Sequence, residues 1–197
     1  MDGTTKLWND LRALDVGDTI KRVGVRFADR VFLVPFIDSV YRVDPGQNTV
    51  EPVVEAKSAM PAVSNELELC LLSFLVFGEI RPRENSWITE KELPGGSIFF
   101  QGPHAMPVQP LLDTFGRNAG SFVLRGVSLG GTQAEYGDGS IELGVLPGIR
   151  ICFAIWEADE EFDASCTVMF DASFKGLFAL DVVLALTSSV VSKIVVS

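Results

Sequence analysis

The sequence predicts an α+β fold in a single domain spanning residues 1–197. It would hold two mostly antiparallel β regions and five to six helices, the last of them long and amphipathic. Three observations carry that expectation. Runs rich in β-branched and aromatic residues fall within 25–54 and 134–170, a composition suited to pleated, half-buried surfaces. Segments with apolar residues at helical spacing lie before, between and after those runs. The resulting order, helices, strands, helices, strands, helix, lacks the strand–helix alternation that builds a parallel sheet. With 197 residues the chain is long enough to bury a sizeable core, and no repeat, low-complexity tract or long linker divides it.

The elements follow in order. "TTKLWNDLRALD" sets Leu7, Trp8, Leu11 and Leu14 on one helical face, with Thr4 or Thr5 as N-cap. A short helix after Asp15 ends before Gly24, a residue suited to the left-handed position past a helix end. Residues 25–54 read as a meander of short strands, with "DPGQN" as a turn. "SNELELCLLSFLVFGE" reads as a buried helix capped by Ser64 or Asn65, with Glu66 and Glu68 at its positive end and Gly78 stopping it. Thr89 and Glu92 have the spacing of a capping box, so one helical turn should begin at Glu90 and stop at Pro94. Helices over "MPVQPLLDTFG" and "GSFVLRGVSLGG" come next. Strands near 134–136 and 141–146 should flank "GDGS", and strands near 149–157 and 163–170 should flank "ADEEF". Asp171, where the last strand meets a helical turn, suits an N-cap.

Composition excludes several classes of function. The formal charge is −10, and no basic run exists to neutralise phosphates or to meet an anionic bilayer. Nucleic acid is therefore not an expected partner. The first ten residues lack the basic and apolar pattern of a secretory leader. The C-terminal "GLFALDVVLALTSSVVSKIVVS" is interrupted by Asp181 and by the Thr187–Ser189 run, so it reads as a packed helix and not as a membrane span. Leu177, Leu180, Leu184, Val191 and Ile194 would form its apolar face. Cys70, Cys152 and Cys166 are scattered, without C-x-x-C spacing, which suits a reducing cytoplasm. Cys152 and Cys166 would lie nearly opposite each other across a hairpin turning near Asp159–Glu160. Three thiols cannot supply a four-cysteine iron–sulfur site. Fourteen phenylalanines and a mean hydropathy of +0.29 point to a generous core or to a surface that meets a partner.

Two segments carry candidate chemistry. "LPGGSIFFQGPHAMP" holds the only histidine, His104, beside Gly95 and Gly96, whose backbone amides could face a ligand. Its plain reading is a corner in which glycine and proline punctuate the chain. "WEADEEFDASCTVMFDAS" gathers Glu157, Asp159, Glu160, Glu161 and Asp163, acids able to transfer protons or to gather a hard cation. Their spacing does not match a calcium-loop pattern, and a solvated turn accounts for them. No phosphate-binding loop, dinucleotide fingerprint or G-x-S-x-G elbow is present.

Taken together, "SWIT", "ELPGGSIFFQGPH", the later "LGG", "LPGIRICFAIWEADEEFDASCTVMFDAS" and the closing helix resemble an uncharacterised prokaryotic family, domain of unknown function 3786. The order and spacing of these segments carry the likeness, which extends to "KRVGVRF" near the front. The resemblance implies a setting in anaerobic corrinoid or iron–sulfur cofactor metabolism, since some family members carry an attached iron–sulfur module; this chain has no such cysteine-rich module. It implies no reaction.

The expectation is a cytoplasmic binding or accessory domain. Its site would lie between the two segments and use Trp87, Gly95, Gly96, Phe100, His104, Trp156, Glu157 and Glu161. A small molecule, a protein or a second copy of the chain are the candidate partners; the residues assign no cofactor and no metal. The alternatives are an enzyme with a His104–carboxylate pair and an interaction subunit with an exposed apolar patch.

Overall fold

The computed structural model of the chain describes residues 3–53 and 63–196. Residue 54, at the end of the predicted meander, lies outside them, as do Met1, Asp2 and Ser197. Two helices open the chain, α1 (Gly3–Ala13) and α2 (Val16–Val23). A four-stranded antiparallel sheet follows in sequence order, β1 (Arg26–Ala28), β2 (Val31–Phe36), β3 (Ser39–Asp44) and β4 (Thr49–Pro52). After α3 (Asn65–Phe77) come β5 (Trp87–Thr89), the one-turn α4 (Gly96–Phe99), α5 (Gln109–Phe115) and α6 (Ala119–Ser128). The chain ends with β6 (Thr132–Ala134), β7 (Gly139–Leu146), β8 (Ile149–Trp156), β9 (Ser165–Asp171) and α7 (Leu180–Val195). The second sheet is also antiparallel, in the order β5-β9-β8-β7-β6. This is the α+β class that the order of segments predicts.

One apolar cluster joins both sheets to the helices. It includes Val34 and Phe36 of the first sheet, Phe153 and Phe170 of the second, Leu71 and Phe74 of α3, and Val190 of α7. Burying each such Leu, Val or Phe contributes roughly 1.5–3 kcal/mol relative to leaving it exposed. The sheets meet at the β2–β3 turn, where the Ile37 amide donates to Val145 O at 3.1 Å. Lys193 of α7 pairs with Asp38 of the same turn at 2.8 Å.

Helix ends follow elementary rules. Asp15 accepts the Asp18 amide at 2.9 Å, and Gly24 closes α2 at φ 67°. Ser64 accepts the Leu67 amide at the start of α3. The negative ends of the two most apolar helices are met by guanidinium groups. Arg22 donates to Leu75 O at 2.7 Å and to Gly78 O at the end of α3. Arg125 donates to Lys193 O and Ile194 O at the end of α7.

The polar run inside α7 is accommodated by bonds back to the helix: Thr187 to Val183 O and Ser189 to Ala185 O, both at 2.9 Å. The helix is buried on most sides, leaving Asp181 and Ser192 exposed, and Leu177 precedes it. Its polar face is therefore narrower than the sequence pattern suggests. Among the described residues, no helix is long and apolar enough to cross a membrane.

Several local expectations shift. Helix α1 begins at Gly3, so Thr4 and Thr5 sit in its first turn instead of capping it. Strand β6 ends at Ala134, because Tyr136 N already donates to Ser140 Oγ and Gly137 turns at φ 57°. The Cys152–Cys166 juxtaposition is overturned. Cys152 pairs with Met169, and Cys166 with Ile155, since the connection runs from Glu157 to Ala164 and moves the register. Both thiols are free.

Candidate functional site

The Leu93–Pro107 segment is a self-packed corner. Thr89 N donates to Glu92 Oε2 at 2.9 Å, making one half of the expected capping box around a single turn at Glu90–Glu92. Gly95 then adopts φ 79°, a left-handed conformation that glycine takes without steric cost. A Cβ on Gly96 would come within 1.9 Å of Glu90 O. The Gly96 amide donates to Leu93 O at 2.8 Å and is thus used within the corner. Leu93 and Phe100 enter the core, while Ile98 stands 82% exposed. The exposed His104 ring stacks on Phe99 with centroids 4.7 Å apart. Among the described residues its side chain makes no ion pair or hydrogen bond.

The Trp156–Asp163 segment is a projecting platform. Glu157 accepts the Ala119 amide at 2.6 Å, capping α6, and its own amide donates to Asp138 Oδ2 at 2.8 Å. Asp159 Oδ1 accepts the amides of Glu161 and Phe162, at 2.8 and 2.7 Å, which holds that carboxyl below the usual range. Phe162 is displayed at 70% exposure and Trp156 at 41%. The Tyr136–Asp138 turn lies alongside: Asp138 N donates to Ile155 O, and a Cβ on Gly137 would sit 3.2 Å from the Trp156 ring. The platform therefore carries three exposed aromatic rings, Tyr136, Trp156 and Phe162. Glu135, Asp138, Asp159, Glu160, Glu161 and Asp163 of the same two segments are exposed.

Trp87 lies elsewhere on the same sheet. It pairs with Asp171, and Trp156 pairs with Ser165. The even spacing puts both tryptophans on the sheet face away from the core cluster, about 20 Å apart at ~3.4 Å per residue. Asp171 is the buried polar centre near Trp87. Burial pushes its carboxyl up, but hydrogen bonds from Ser173, Glu84 and Asn85 outweigh that and leave it below the usual range. Arg83 bridges toward it at 3.8 Å and reaches Glu142 at 3.0 Å; Glu142 also pairs with Arg150.

No hydrogen bond, ion pair or ring contact among the described residues joins the Leu93–Pro107 corner to the Trp156–Asp163 platform. The corner packs toward the start of α7, where Leu93 and Pro94 line a small apolar cavity of about 140 Å³ with Phe178 and Leu180. The platform borders α5 and a shelf of about 410 Å³ lined by Asp113, Arg117 and Asp163. Of the predicted residues, Trp156, Glu157 and Glu161 lie in the platform segment. Gly95, Gly96, Phe100 and His104 form the corner, and Trp87 stands beside Asp171. Burial pushes the Cys152 and Cys166 thiols up to about 12. Among the described residues, no three His, Cys, Asp or Glu side chains converge to hold a metal ion.

Sequence reasoning missed Tyr136 and Phe162. The signal available was the likeness of "EYGD" to "WEADEEF", an aromatic ring set among acids on each of two turns. It also missed a cavity of about 720 Å³ at one end of the first sheet, lined in part by Arg30 and Arg42. The only cue there was "ADRV", a tight hairpin tip without a glycine.

No curated protein and no solved structure matches the chain. One family model does match, over residues 15–193, from the Asp15 cap of α2 to Lys193 near the end of α7. The chain belongs to that family, described as Domain of unknown function (DUF3786).

Proposed function

We propose that this chain is a non-catalytic accessory domain that docks a basic protein partner through the Trp156–Asp163 platform. One observation supports the reading above others: Phe162 stands exposed on a turn fixed by Asp159, Trp156 stands exposed at the end of β8 just before it, and the segment is rich in exposed carboxylates. Aromatic side chains are the usual anchors of protein interfaces. A rim of one sign draws an oppositely charged partner and fixes its orientation. Isolated exposed apolar residues need no explanation, but three exposed aromatic residues on neighbouring segments invite one. The setting in anaerobic cofactor metabolism and the cytoplasmic location are part of the proposal and rest on the family resemblance and the composition. An enzyme built on His104 has less support, because that imidazole stacks on Phe99 and pairs with no carboxylate among the described residues.

Titrating the isotope-labelled chain with a Lys/Arg-rich amphipathic peptide tests the reading. Amide shifts should concentrate at 135–138 and 156–163, weaken with added salt, and vanish in the Glu160→Lys/Glu161→Lys/Phe162→Ser variant. Shifts centred elsewhere, or undiminished binding by that variant, would sink it.

A further inference from the structure

We propose that the groove between α1 and the hairpin tips of the first sheet binds a small molecule with an apolar body and an oxyanion head, the head held by Arg30 and Arg42. This site is independent of the platform. The groove measures about 720 Å³, within the range of small-molecule sites. Leu11, Leu14 and Val16 form one wall, and Phe27 and Phe32, with ring centroids 4.7 Å apart, form another. Helix α1 is tied across it by Arg12, which donates to Pro45 O at 3.1 Å and to Asn48 Oδ1.

Two unpaired arginines border this groove. Arg12, Arg22, Arg81, Arg83, Arg125 and Arg150 are all engaged in hydrogen bonds or ion pairs. Arg26, Arg30, Arg42 and Arg117 have no such partner among the described residues, and two of these four, Arg30 and Arg42, line the groove. The acids lining it are Asp29 and Asp44, and Asp44 Oδ1 accepts the Gly46 and Gln47 amides of its own turn. Three guanidinium groups and two carboxylates line the groove, and Glu51 stands across from Arg42 on the neighbouring strand. A guanidinium matches the planar geometry of a carboxylate or phosphate with paired hydrogen bonds.

The backbone offers a second argument. Asp29 and Arg30 form the two-residue β1–β2 turn at φ 51° and 66°. Both are left-handed positions, and glycine is the favoured residue at the second. Arginine there is strained, and strain kept at a ligand-facing tip is a recurring mark of a used side chain. Keeping a guanidinium at the mouth of the groove gives the strain a purpose.

The test uses anilinonaphthalene sulfonate, an apolar body with an oxyanion head, whose fluorescence reports binding to the full chain. Arg30→Gly/Arg42→Ala should weaken its affinity about tenfold or more, the loss expected for charge-assisted hydrogen bonds. The single variant Arg30→Gly should also raise the melting temperature, which separates lost binding from lost folding. Decanoate or decyl phosphate should displace the probe, and their ranking identifies the preferred head. Decanol and inorganic phosphate should not displace it, and Phe162→Ser should leave its affinity unchanged. Equal affinity in the double arginine variant, displacement by decanol as effective as by decanoate, or loss of binding in Phe162→Ser would overturn the proposal.

Discussion

The two sheets solve the same problem in opposite ways. In the second sheet, the β6–β7 and β7–β8 turns reach positive φ at glycines, Gly137 at 57° and Gly148 at 75°. In the first sheet the turns use Asp29, Arg30, Ile37 and Asn48 at such angles. Ile37 is the most costly, because a β-branched side chain in the left-handed region costs roughly 1–2 kcal/mol. Its amide bonds to Val145 O, its side chain packs on the core, and Lys193 holds the neighbouring Asp38. Burial raises the Asp38 carboxyl, but the Lys193 and Ser39 hydrogen bonds outweigh that and leave it below the usual range. The second sheet is relaxed and close-packed at its turns. The first holds strained turns where side chains serve as anchors or line a groove.

The largest expected effect tests whether the contrast stops at the turns. Phe36→Ala in the first sheet and Phe170→Ala in the second should each cost about 3–5 kcal/mol. Because both side chains belong to one apolar cluster, urea melts of either variant should keep a single transition. Two transitions would divide the chain and break the one-domain expectation.

The next test lies in the relaxed sheet. A Cβ on Gly137 would meet Ile155 O at 2.5 Å at a positive φ, so Gly137→Ala should cost about 2–4 kcal/mol. A loss below ~1 kcal/mol in the same melt would mean that close approach does not fix this turn.

Asp171 gives the contrast a pH signature within the second sheet. Its folded carboxyl sits below the ordinary 3.8. The stability it contributes is therefore present above that value and is lost as pH falls through the lower folded one. Asp171→Asn should cost about 1–2 kcal/mol at neutral pH and should unfold with a shallower dependence on pH in the acid range. An unchanged acid limb would remove Asp171 from the account.

The smallest effect has the opposite sign. Arg30→Gly should stabilise the first sheet by about 0.5–1 kcal/mol. A destabilising result would mean that the turn carries no strain to relieve.

Where a local rule decided the conformation, the sequence was legible. Asp15, Gly24, Ser64 and Asp171 all act as their neighbours predict, because a cap involves only a few adjacent residues. The strand runs announced themselves by composition in both sheets. The rest depends on partners distant in the chain. Nothing in "SWIT" says that Trp87 will pair with Asp171. The register that separates Cys152 from Cys166 was set by the length of an ordered turn, which composition does not specify. Gly95, Gly96 and His104 looked like chemistry because unusual residues cluster in both corners and sites; packing of Phe99, Phe100 and Glu90 accounts for most of them. Arg30 and Ile37 were invisible because they break turn preferences, and for Ile37 the bond to Val145 O and its packing on the core account for the position.

The strand order also has a consequence for synthesis. The second sheet is bordered by β5 from mid-chain, whose strand neighbour among the described residues, β9, is made after all the others described. Helix α3 packs on α1 and α2, made before it, and on α7, made after it. While the chain grows from its N-terminus, the side of α3 at Cys70, which meets Val182 of α7, must wait for its covering surface. The first sheet can pair as it emerges, since each of its strands neighbours the next. The second cannot close until Asp171 has left the ribosome. Truncations that remove α7 should therefore yield chains that cannot complete their core, and a stall late in translation would expose more apolar surface than one early on.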